Sequence, residues 1–214
     1  MEIILASNSP RRKEILESLG YKFRIAPSDI DENIDLTGER LACELAKRKA
    51  LRIYDYNKDS IVIGSDTIVY FDNKVYNKPK NEEECYYMLK NLSGKTHEVI
   101  TGVYIASKLD HISFFDKAYV TFKELSDKEI FDYMKTKEPF DKAGGYAIQG
   151  LGKNLVEKYE GDIYTIIGLP KDLVNSYLKR LIEALDNLNN GGKNYEKINR
   201  NSCSGSIIYI YYLW

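Results

Sequence analysis

The sequence has few of the residues that build metal cages and disulfide frameworks. Its 214 residues include three cysteines and two histidines, with no Cys-x-x-Cys pair. Cys43, Cys85 and Cys203 lie far apart, which is typical of reduced thiols in the cytosol. His97 and His111 are too few for a His-rich metal site. The composition therefore argues against a zinc site and against a disulfide-stabilised scaffold.

The sequence also lacks a strong net charge and a long apolar run. The formal net charge is -1, so no basic field points to nucleic acid. No apolar stretch approaches the roughly 20 residues of a membrane span, and Met1–Ala6 is too short and wrongly charged for a signal peptide. Hydrophobic residues make up 43% and charged residues 29%, which is ordinary for a globular protein. We therefore expect a cytoplasmic protein with no membrane or nucleic-acid partner.

An isolated carboxylate stands between two apolar stretches near the middle of the chain. Ser60–Ile63 is apolar and rich in β-branched residues, which predicts a buried strand. Gly64 and Ser65 interrupt it, Asp66 follows, and apolar residues resume at Ile68. Asp66 is either a turn residue at a strand end or a carboxylate delivered to a cleft as a metal ligand or general base. This stretch alone leaves both interpretations open.

The N-terminal segment has the pattern of an anion-binding site. A short apolar strand, Ile3–Ala6, leads into a turn in which Ser9 is a good N-cap and Pro10 occupies the first helical position. The free N–H groups of such a helix end attract anions. Arg11 and Arg12 add guanidinium groups that suit phosphate oxygens. The alternative is that these arginines only form a solvated face, but two cations at a helix N-terminus oppose its dipole unless an anion binds.

Apolar periodicity and turn residues predict a mixture of strands and helices elsewhere. Strands are predicted at Phe23–Ala26, Glu98–Ala106, Asn154–Lys158 and Tyr164–Ile167, with hairpin turns at Asp72–Lys74 and around Asp116. Helices are predicted at Thr37–Leu51, after the N-cap residues Asn81 and Ser126, and from Pro170 to Leu185 with Leu173, Tyr177, Leu178, Leu181 and Leu185 inward. Lys49 lies at the apolar edge of the first helix, and Pro79 favours an extended backbone at Lys78.

A glycine-rich segment follows residue 143. Four glycines between residues 144 and 152 indicate either a flexible loop or backbone brought close to a ligand. The segment does not have the G-x-G-x-x-G pattern, so it predicts no dinucleotide fold. Gln149 could read a base edge, because its amide both donates and accepts hydrogen bonds.

The composition changes after residue 185. Asn187–Asn194 has the composition of a linker, and Ile207–Trp214 is a short aromatic and aliphatic run. That run could add an edge strand, contact a partner or promote aggregation. We therefore divide the chain into a domain at residues 1–185 and an extension of unknown role at residues 186–214.

Several motifs occur in the order found in one known family. They are Leu5-Ala6-Ser7-x-Ser9-Pro10-Arg11-Arg12, Asp31-Glu32, Lys49-Ala50, Gly64-x-Asp66-Thr67, Lys78-Pro79, Ser93-Gly94-x-Thr96-His97-x-Val99-x-Thr101-Gly102, Asp141-Lys142-Ala143-Gly144-x-Tyr146-x-Ile148-Gln149-Gly150 and Gly168-Leu169-Pro170. Each is a weak signal alone, but the ordered set resembles the Maf family of nucleoside triphosphate pyrophosphatases over residues 1 to about 185. The Tyr-x-Ile-Gln-Gly form resembles the dTTP/UTP branch and not the branch acting on 7-methyl-GTP.

The resemblance implies a fold, an activity and a site. The fold would be α/β, with a mixed, twisted sheet flanked by helices and two lobes around a central cleft, as in inosine-triphosphate pyrophosphatases. The activity would be hydrolysis of dTTP and UTP to the monophosphate and pyrophosphate, with Mg²⁺ or Mn²⁺, in the cytoplasm and often as a homodimer. The implied catalytic residues are Asp66, Glu32 and Lys78, of which Asp66 and Glu32 would also bind the metal. The implied substrate-binding residues are Ser7, Arg11, Arg12, Lys49, Thr67 and Gln149.

The sequence departs from the family pattern in three places. Residues 113–122 lack the usual Glu-x-Thr, Thr165 stands where an Asn is common, and residues 186–214 match nothing in the family. Two other functions stay open: a non-catalytic nucleotide-binding regulator of cell division, and a purine-selective pyrophosphatase of the inosine-triphosphate type. The presence of Asp66, Glu32 and Lys78 favours an enzyme, because a protein that only binds nucleotides needs no carboxylate near the phosphates.

Overall fold

Seven strands form one sheet in the computed structural model, which describes residues 1–189. The strands are β1 (Ile3–Leu5), β2 (Arg24–Ile25), β3 (Ile61–Phe71), β4 (Lys74–Tyr76), β5 (Thr96–Ala106), β6 (His111–Phe122) and β7 (Val156–Glu160). The α-helices are α1 (Pro10–Ser18), α2 (Gly38–Tyr54), α3 (Glu82–Leu92), α4 (Asp127–Met134), α5 (Ile163–Ile167) and α6 (Lys171–Asn189).

The sheet is mixed, as the resemblance implies. Its strand order is β2-β1-β3-β5-β6-β7, and β4 pairs with β3. Strand β1 is parallel to β2 and β3, whereas the other pairs are antiparallel. The predicted α/β class with a mixed sheet flanked by helices is therefore confirmed.

Alternating side chains separate the two faces of the sheet. Ile3 and Leu5 of β1 pack in a core with α1 and α6, whereas Ile4 packs with α2 on the opposite face. This alternation is the period of two that a strand imposes. Because both faces are covered, these strands read as continuous apolar runs in the sequence.

The three long strands β3, β5 and β6 pass through both lobes. Near one end, Val103 and Ile105 of β5 belong to the core that includes α1 and α6. Near the other end, Val99 packs in a second core with Leu89 of α3 and Ile130 of α4. One rigid set of strands therefore connects the two lobes and fixes the cleft between them.

A gap in the sheet opens beside the middle of β3. The pairing with β1 ends at Ile63, and the pairing with β4 begins only at Val69. Residues 64–68 therefore have a strand partner on one side only, which is β5. Side chains from both faces of β3 can reach the same space through this unpaired edge.

Helix α2 approaches the sheet at two glycines on neighbouring strands. A Cβ atom on Gly64 of β3 would lie 2.2 Å from the Ala46 carbonyl oxygen, and one on Gly102 of β5 would lie 2.3 Å from that of Ala42. No side chain fits at either position without moving the helix. The glycines thus hold α2, and with it Lys49, close to β3.

Three predicted elements are wrong. Gly64 and Ser65 do not interrupt the central strand, because β3 continues from Ile61 to Phe71. Asp116 is not at a hairpin turn but in the middle of β6, directly opposite Thr101. The segment predicted as a strand at residues 164–167 is helix α5, which begins after Asp162 because that side chain accepts the Tyr164 N–H at 2.9 Å.

The ends of several helices follow the sequence signals. Ser9 and Asn81 are N-caps, and Ser126 forms a capping box with Glu129. In α6 the predicted inward Leu173 is exposed, and its neighbour Val174 is buried instead.

The chain beyond residue 189 lies outside the described residues. The last helix was predicted to end at Leu185 but continues to Asn189, so the first three residues of the predicted linker are helical. The rest of the linker, the aromatic run and the division into two parts remain predictions. Of the helices within residues 1–189, none has the length and apolar character needed to cross a membrane.

A buried histidine joins the second core to the cleft. His97 of β5 is 2% exposed, and its Nε2 lies 2.7 Å from the hydroxyl of Tyr146. No group among the described residues bonds its Nδ1. Burial lowers the pKa of His97 to about 4, because the charged ring would lose its hydration.

We expect Gly102→Ala to lower the free energy of unfolding by about 3 kcal/mol or more, because the added methyl group meets backbone atoms of α2. Urea unfolding measures this change. Gly20→Ala is the control, since Gly20 has a φ of 82° but open space around it, and should cost about 1 kcal/mol. A Gly102→Ala protein as stable as the wild type would contradict the close contact.

We expect protonation of His97 to destabilise the fold below neutral pH. The pKa of His97 in the folded protein is lower than its unfolded value of about 6.5. The free energy of unfolding is therefore unaffected by protonation of this residue above pH 6.5 and decreases as the pH falls towards 4. The loss is on the order of 3 kcal/mol. Urea unfolding of His97→Gln between pH 7 and pH 4 should show a correspondingly weaker pH dependence. His111→Gln, which removes the more exposed histidine, should keep most of the wild-type slope; equal slopes for His97→Gln and the wild type would contradict the assignment.

Candidate active site

A cleft of about 1170 Å³ lies beside the unpaired edge of β3. Among the described residues, its walls carry six cationic and three acidic side chains, so a polyanion would find a net positive surface. The cations are Arg11, Arg12, Lys49, Lys78, Lys80 and Lys142, and the acids are Glu32, Asp66 and Asp141. All nine residues that the resemblance implies as site residues line this cleft: Ser7, Arg11, Arg12, Glu32, Lys49, Asp66, Thr67, Lys78 and Gln149.

Lys49 brings two carboxylates together. Its Nζ lies 2.6 Å from Oδ1 of Asp66 and 2.7 Å from Oε1 of Glu32. Lys49 and Asp66 are mostly buried, whereas the side chain of Glu32 is 60% exposed. Asp66 is therefore fixed on the sheet, and Glu32 faces it from the loop before α2.

The Asp66 carboxylate is electrostatically unusual. Burial raises its pKa above the ordinary carboxylate value, and the opposing effects of Lys49 and Arg12 do not fully offset that burial. A carboxylate with a raised pKa is a better proton acceptor than an exposed one. Such shifted groups in clefts are candidates for catalysis.

The Arg12 guanidinium is held by three oxygen atoms. Its Nε donates to the Gly168 carbonyl at 2.9 Å, Nη1 donates to the Ser7 hydroxyl at 3.2 Å, and Nη2 donates to the Thr67 hydroxyl at 3.1 Å. These three bonds use three of the five N–H groups that arginine carries. One N–H on each terminal nitrogen is left for a ligand in the cleft.

Gly168 makes this arrangement possible at the end of α5. Its φ of 123° lies in the region that favours glycine, and a Cβ there would lie 3.1 Å from the Thr67 hydroxyl. Its carbonyl accepts from Arg12 and also from Ser65 at 3.0 Å. The Gly168 motif is therefore part of the site, although the sequence assigned it no role.

A row of polar side chains runs across the strands behind Arg12. The Thr67 and Thr101 hydroxyl oxygens are 2.9 Å apart, and Thr101 donates to the Thr165 carbonyl at 2.7 Å. The Thr165 hydroxyl donates in turn to Asp116. Sequence reasoning missed Thr101, Asp116 and Thr165 as neighbours of the site, because only the register of β3, β5 and β6 brings them together.

Lys78 and Gln149 lie on the cleft wall without protein partners. Both side chains are exposed, and neither forms a hydrogen bond or ion pair with the rest of the described chain. Both are free to contact a ligand. Arg11 lines the cleft in the first turn of α1.

A clamp that the sequence did not indicate holds the segment around Gln149. The Glu138 carboxylate accepts the N–H groups of Leu151 and Gly152, each at 2.9 Å, and the Tyr133 hydroxyl at 3.0 Å. Tyr146, three residues before Gln149, is held by His97. The glycine-rich segment is thus fixed at both ends and is not a free loop.

The acidic residues suit a cation that keeps its water. No group of three or more His, Cys, Asp or Glu side chains within residues 1–189 could enclose a metal ion. Asp66 and Glu32 nevertheless offer two carboxylates at one point. Mg²⁺ is commonly held by one or two carboxylates together with waters and substrate phosphates. These two residues therefore fit a divalent cation that arrives with a phosphate substrate.

Comparisons with known proteins agree on one family. A family model described as Maf-like protein matches residues 2–181. A dTTP/UTP pyrophosphatase of Caldicellulosiruptor saccharolyticus is 48% identical over 188 residues, which cover 84% of this chain and 94% of that protein. A dTTP/UTP pyrophosphatase of Bacillus cereus is 47% identical over 171 residues, covering 79% and 90% of the two chains.

A solved structure supports the fold independently. The Staphylococcus aureus Ham1 protein superposes with a TM-score of 0.51 at 12% identity, over 85% of this chain and 100% of that chain. At this identity the likeness concerns the fold alone. The family-model match over residues 2–181 and the relatives at 47–48% identity lead to one conclusion: this chain belongs to the Maf family.

Proposed function

We propose that this protein hydrolyses dTTP and UTP to the nucleoside monophosphate and pyrophosphate. The observation that carries the proposal is the buried Asp66 carboxylate, held by Lys49 in the wall of a cationic cleft. Relatives at 47–48% identity bear the name dTTP/UTP pyrophosphatase. The substrate is a small-molecule nucleotide, and the reaction breaks the anhydride between its α- and β-phosphates.

The cationic side chains bind the phosphates. Arg12 offers one N–H on each terminal nitrogen, a geometry that suits two phosphate oxygens. Arg11, at the N-terminal end of α1, and Lys78 add positive charge to the wall of the cleft. Because charge builds up on the leaving pyrophosphate, fixed cations near it stabilise the transition state more than the ground state.

Asp66 is the proton acceptor for the attacking water. The water oxygen forms a bond to the α-phosphorus while its proton passes to the Asp66 carboxylate, and the bond from the α-phosphorus to the bridging oxygen breaks to release pyrophosphate. Lys49 keeps the carboxylate oriented at 2.6 Å. The raised pKa of Asp66, caused mainly by burial, favours this proton transfer.

Asp66 and Glu32 would hold a divalent cation, Mg²⁺ or Mn²⁺, together with the substrate phosphates. When bound, such an ion neutralises phosphate charge and polarises the phosphoryl oxygens. Lys49, which contacts both carboxylates, limits their mutual repulsion before the cation arrives.

Gln149 reads the pyrimidine. Uracil and thymine present carbonyl oxygens beside a ring N–H, and one amide can pair with that edge by donating and accepting. Cytosine offers an amino group and an unprotonated nitrogen there, which reverses the pattern. A site built for one pattern leaves groups unpaired with the other, at a cost of about 1–3 kcal/mol each.

We also propose a cytoplasmic location and a homodimer, on the basis of the family resemblance, and no nucleic-acid partner, on the basis of the net charge of -1.

The direct test of function incubates the pure protein with UTP, dTTP, CTP and ITP and a divalent metal, followed by product analysis. Monophosphate and pyrophosphate from UTP and dTTP are expected. Binding without turnover would favour the regulator, and turnover of ITP alone would favour the purine-selective enzyme.

We expect Asp66→Asn to lower kcat for UTP by at least about 100-fold, because the amide cannot take the proton of the water. Thermal unfolding should show that the variant folds. Asp55→Asn is the control, since Asp55 pairs with Lys58 on the surface and should retain wild-type activity. Hydrolysis within about tenfold of the wild type would remove Asp66 from the role of base.

We expect Gln149→Glu to narrow the preference for UTP over CTP. The new carboxylate can accept from the amino group of cytosine but cannot donate to the carbonyl of uracil. The measurement is the ratio of kcat/KM for the two nucleotides. Gln149→Leu, which removes both functions, should lower the UTP value without raising the CTP value. An unchanged ratio in Gln149→Glu would exclude Gln149 as the base reader.

A further inference from the structure

Thr101 is a fully buried polar residue that touches no solvent in the cleft. It is 0% exposed and does not line the cleft. It lies in the middle of β5, directly opposite Thr67 of β3 and Asp116 of β6. The general cost of burying a hydroxyl group is recovered only when its hydrogen bonds are made, so the direction of those bonds is informative.

The direction of each bond follows from the number of protons. A threonine hydroxyl has one hydrogen. Thr101 donates that hydrogen to the Thr165 carbonyl at 2.7 Å, and a carbonyl can only accept. In the contact between the two threonine hydroxyls, at 2.9 Å, Thr101 must therefore accept and Thr67 must donate.

The direction of the Thr67–Thr101 hydrogen bond also determines how Thr67 contacts Arg12. Because the only hydroxyl hydrogen of Thr67 points at Thr101, the Thr67 oxygen presents lone pairs on its other side. One of them accepts Nη2 of Arg12 at 3.1 Å. Thr67 lines the cleft but has no hydrogen to give to a ligand; it acts as a fixed acceptor for the arginine.

We propose that Thr101 is a positioning residue for the hydrolysis, acting through Thr67 to fix the orientation of the Arg12 guanidinium. This inference deepens the proposed function and depends on it for the identity of the ligand, a nucleoside triphosphate. The two remaining Arg12 N–H groups meet phosphate oxygens only if the guanidinium plane is held. Thr101, which lies outside the cleft, fixes this plane through its hydrogen bond with Thr67.

The far end of the polar row is anchored as well. Thr165 lies in α5, and its hydroxyl donates to Asp116 on β6. The same short helix ends at Gly168, whose carbonyl accepts Nε of Arg12 at 2.9 Å. Helix α5 is thus connected to Arg12 in two ways: directly, through the Gly168 carbonyl, and indirectly, through hydrogen bonds of Thr101 and Thr67. Loss of Thr101 breaks the indirect connection and leaves the direct one.

The chain provides a matched control on the same strands. Thr96 of β5 faces Thr121 of β6, and their hydroxyl oxygens are 2.8 Å apart at an exposed position. Thr96→Val makes the same chemical change as Thr101→Val on the same strand, away from the cleft. Thr101→Ser keeps the hydroxyl group, and Thr101→Ala removes it with the same loss of a methyl group. The Ser and Ala variants serve as the test pair if Thr101→Val does not fold.

Two measurements test the proposal. The first is NMR of the Arg12 guanidinium in the ligand-free protein, with Arg12→Lys as the assignment control. In the wild type, hydrogen bonds on Nε and both terminal nitrogens should give resolved N–H signals that exchange slowly. The second is kcat/KM for UTP in a double-mutant cycle of Thr101→Val with Arg12→Lys.

We expect Thr101→Val to lose the resolved Nη2 signal of Arg12, while the Nε signal bonded to Gly168 persists, and to lower kcat/KM by about tenfold. Thr101→Ser and Thr96→Val should stay within about twofold of the wild type, and Thr101→Val should add nothing in the Arg12→Lys background. Unchanged Arg12 signals or additive losses would overturn the positioning role. If the wild type does not hydrolyse UTP, the proposed function fails, and the NMR result still decides whether Thr101 orients Arg12.

Discussion

The site depends on a gap in the sheet, where residues 64–68 of β3 have no strand partner on one side. Strand β1 stops at Leu5 and β4 begins to pair only at Val69, so the middle of β3 has an open edge. In a complete sheet, neighbouring residues point to opposite faces and cannot share a site. At this edge, Asp66 meets Lys49 on the face of α2, and Thr67 meets Arg12 on the other face, yet both line one cleft.

The two sides of the cleft are fixed by different kinds of contact. Glycines at positions 64 and 102 let the backbone of α2 touch the sheet, which sets the position of Lys49 against Asp66. On the opposite face, directional hydrogen bonds orient Arg12. A buried ion pair contributes little net stability because desolvation offsets attraction. Here the Lys49–Asp66 pair fixes the position of the carboxylate in the wall of the cleft.

Local signals allowed much of the fold to be predicted, and the family resemblance supplied the nine candidate site residues, which the structure brings into one cleft. N-caps such as Ser9 could be predicted because their effect is local. The preference of Asp for turns favours a turn at Asp116, whereas strand pairing with Thr101 decides its position. The β-branched run at residues 164–167 suggested a strand, but Asp162 and Gly168 cap it as a helix. Residues that act through neighbours, such as Thr101 and Glu138, depend on register and loop packing that a single sequence does not display.

The proposed function requires that water attacks the α-phosphorus of a pyrimidine triphosphate beside Asp66. Hydrolysis of UTP in ¹⁸O-labelled water, followed by mass spectrometry of both products, tests it most directly. We expect one ¹⁸O atom in UMP and none in pyrophosphate. Label in the pyrophosphate, or release of orthophosphate and UDP, would contradict it.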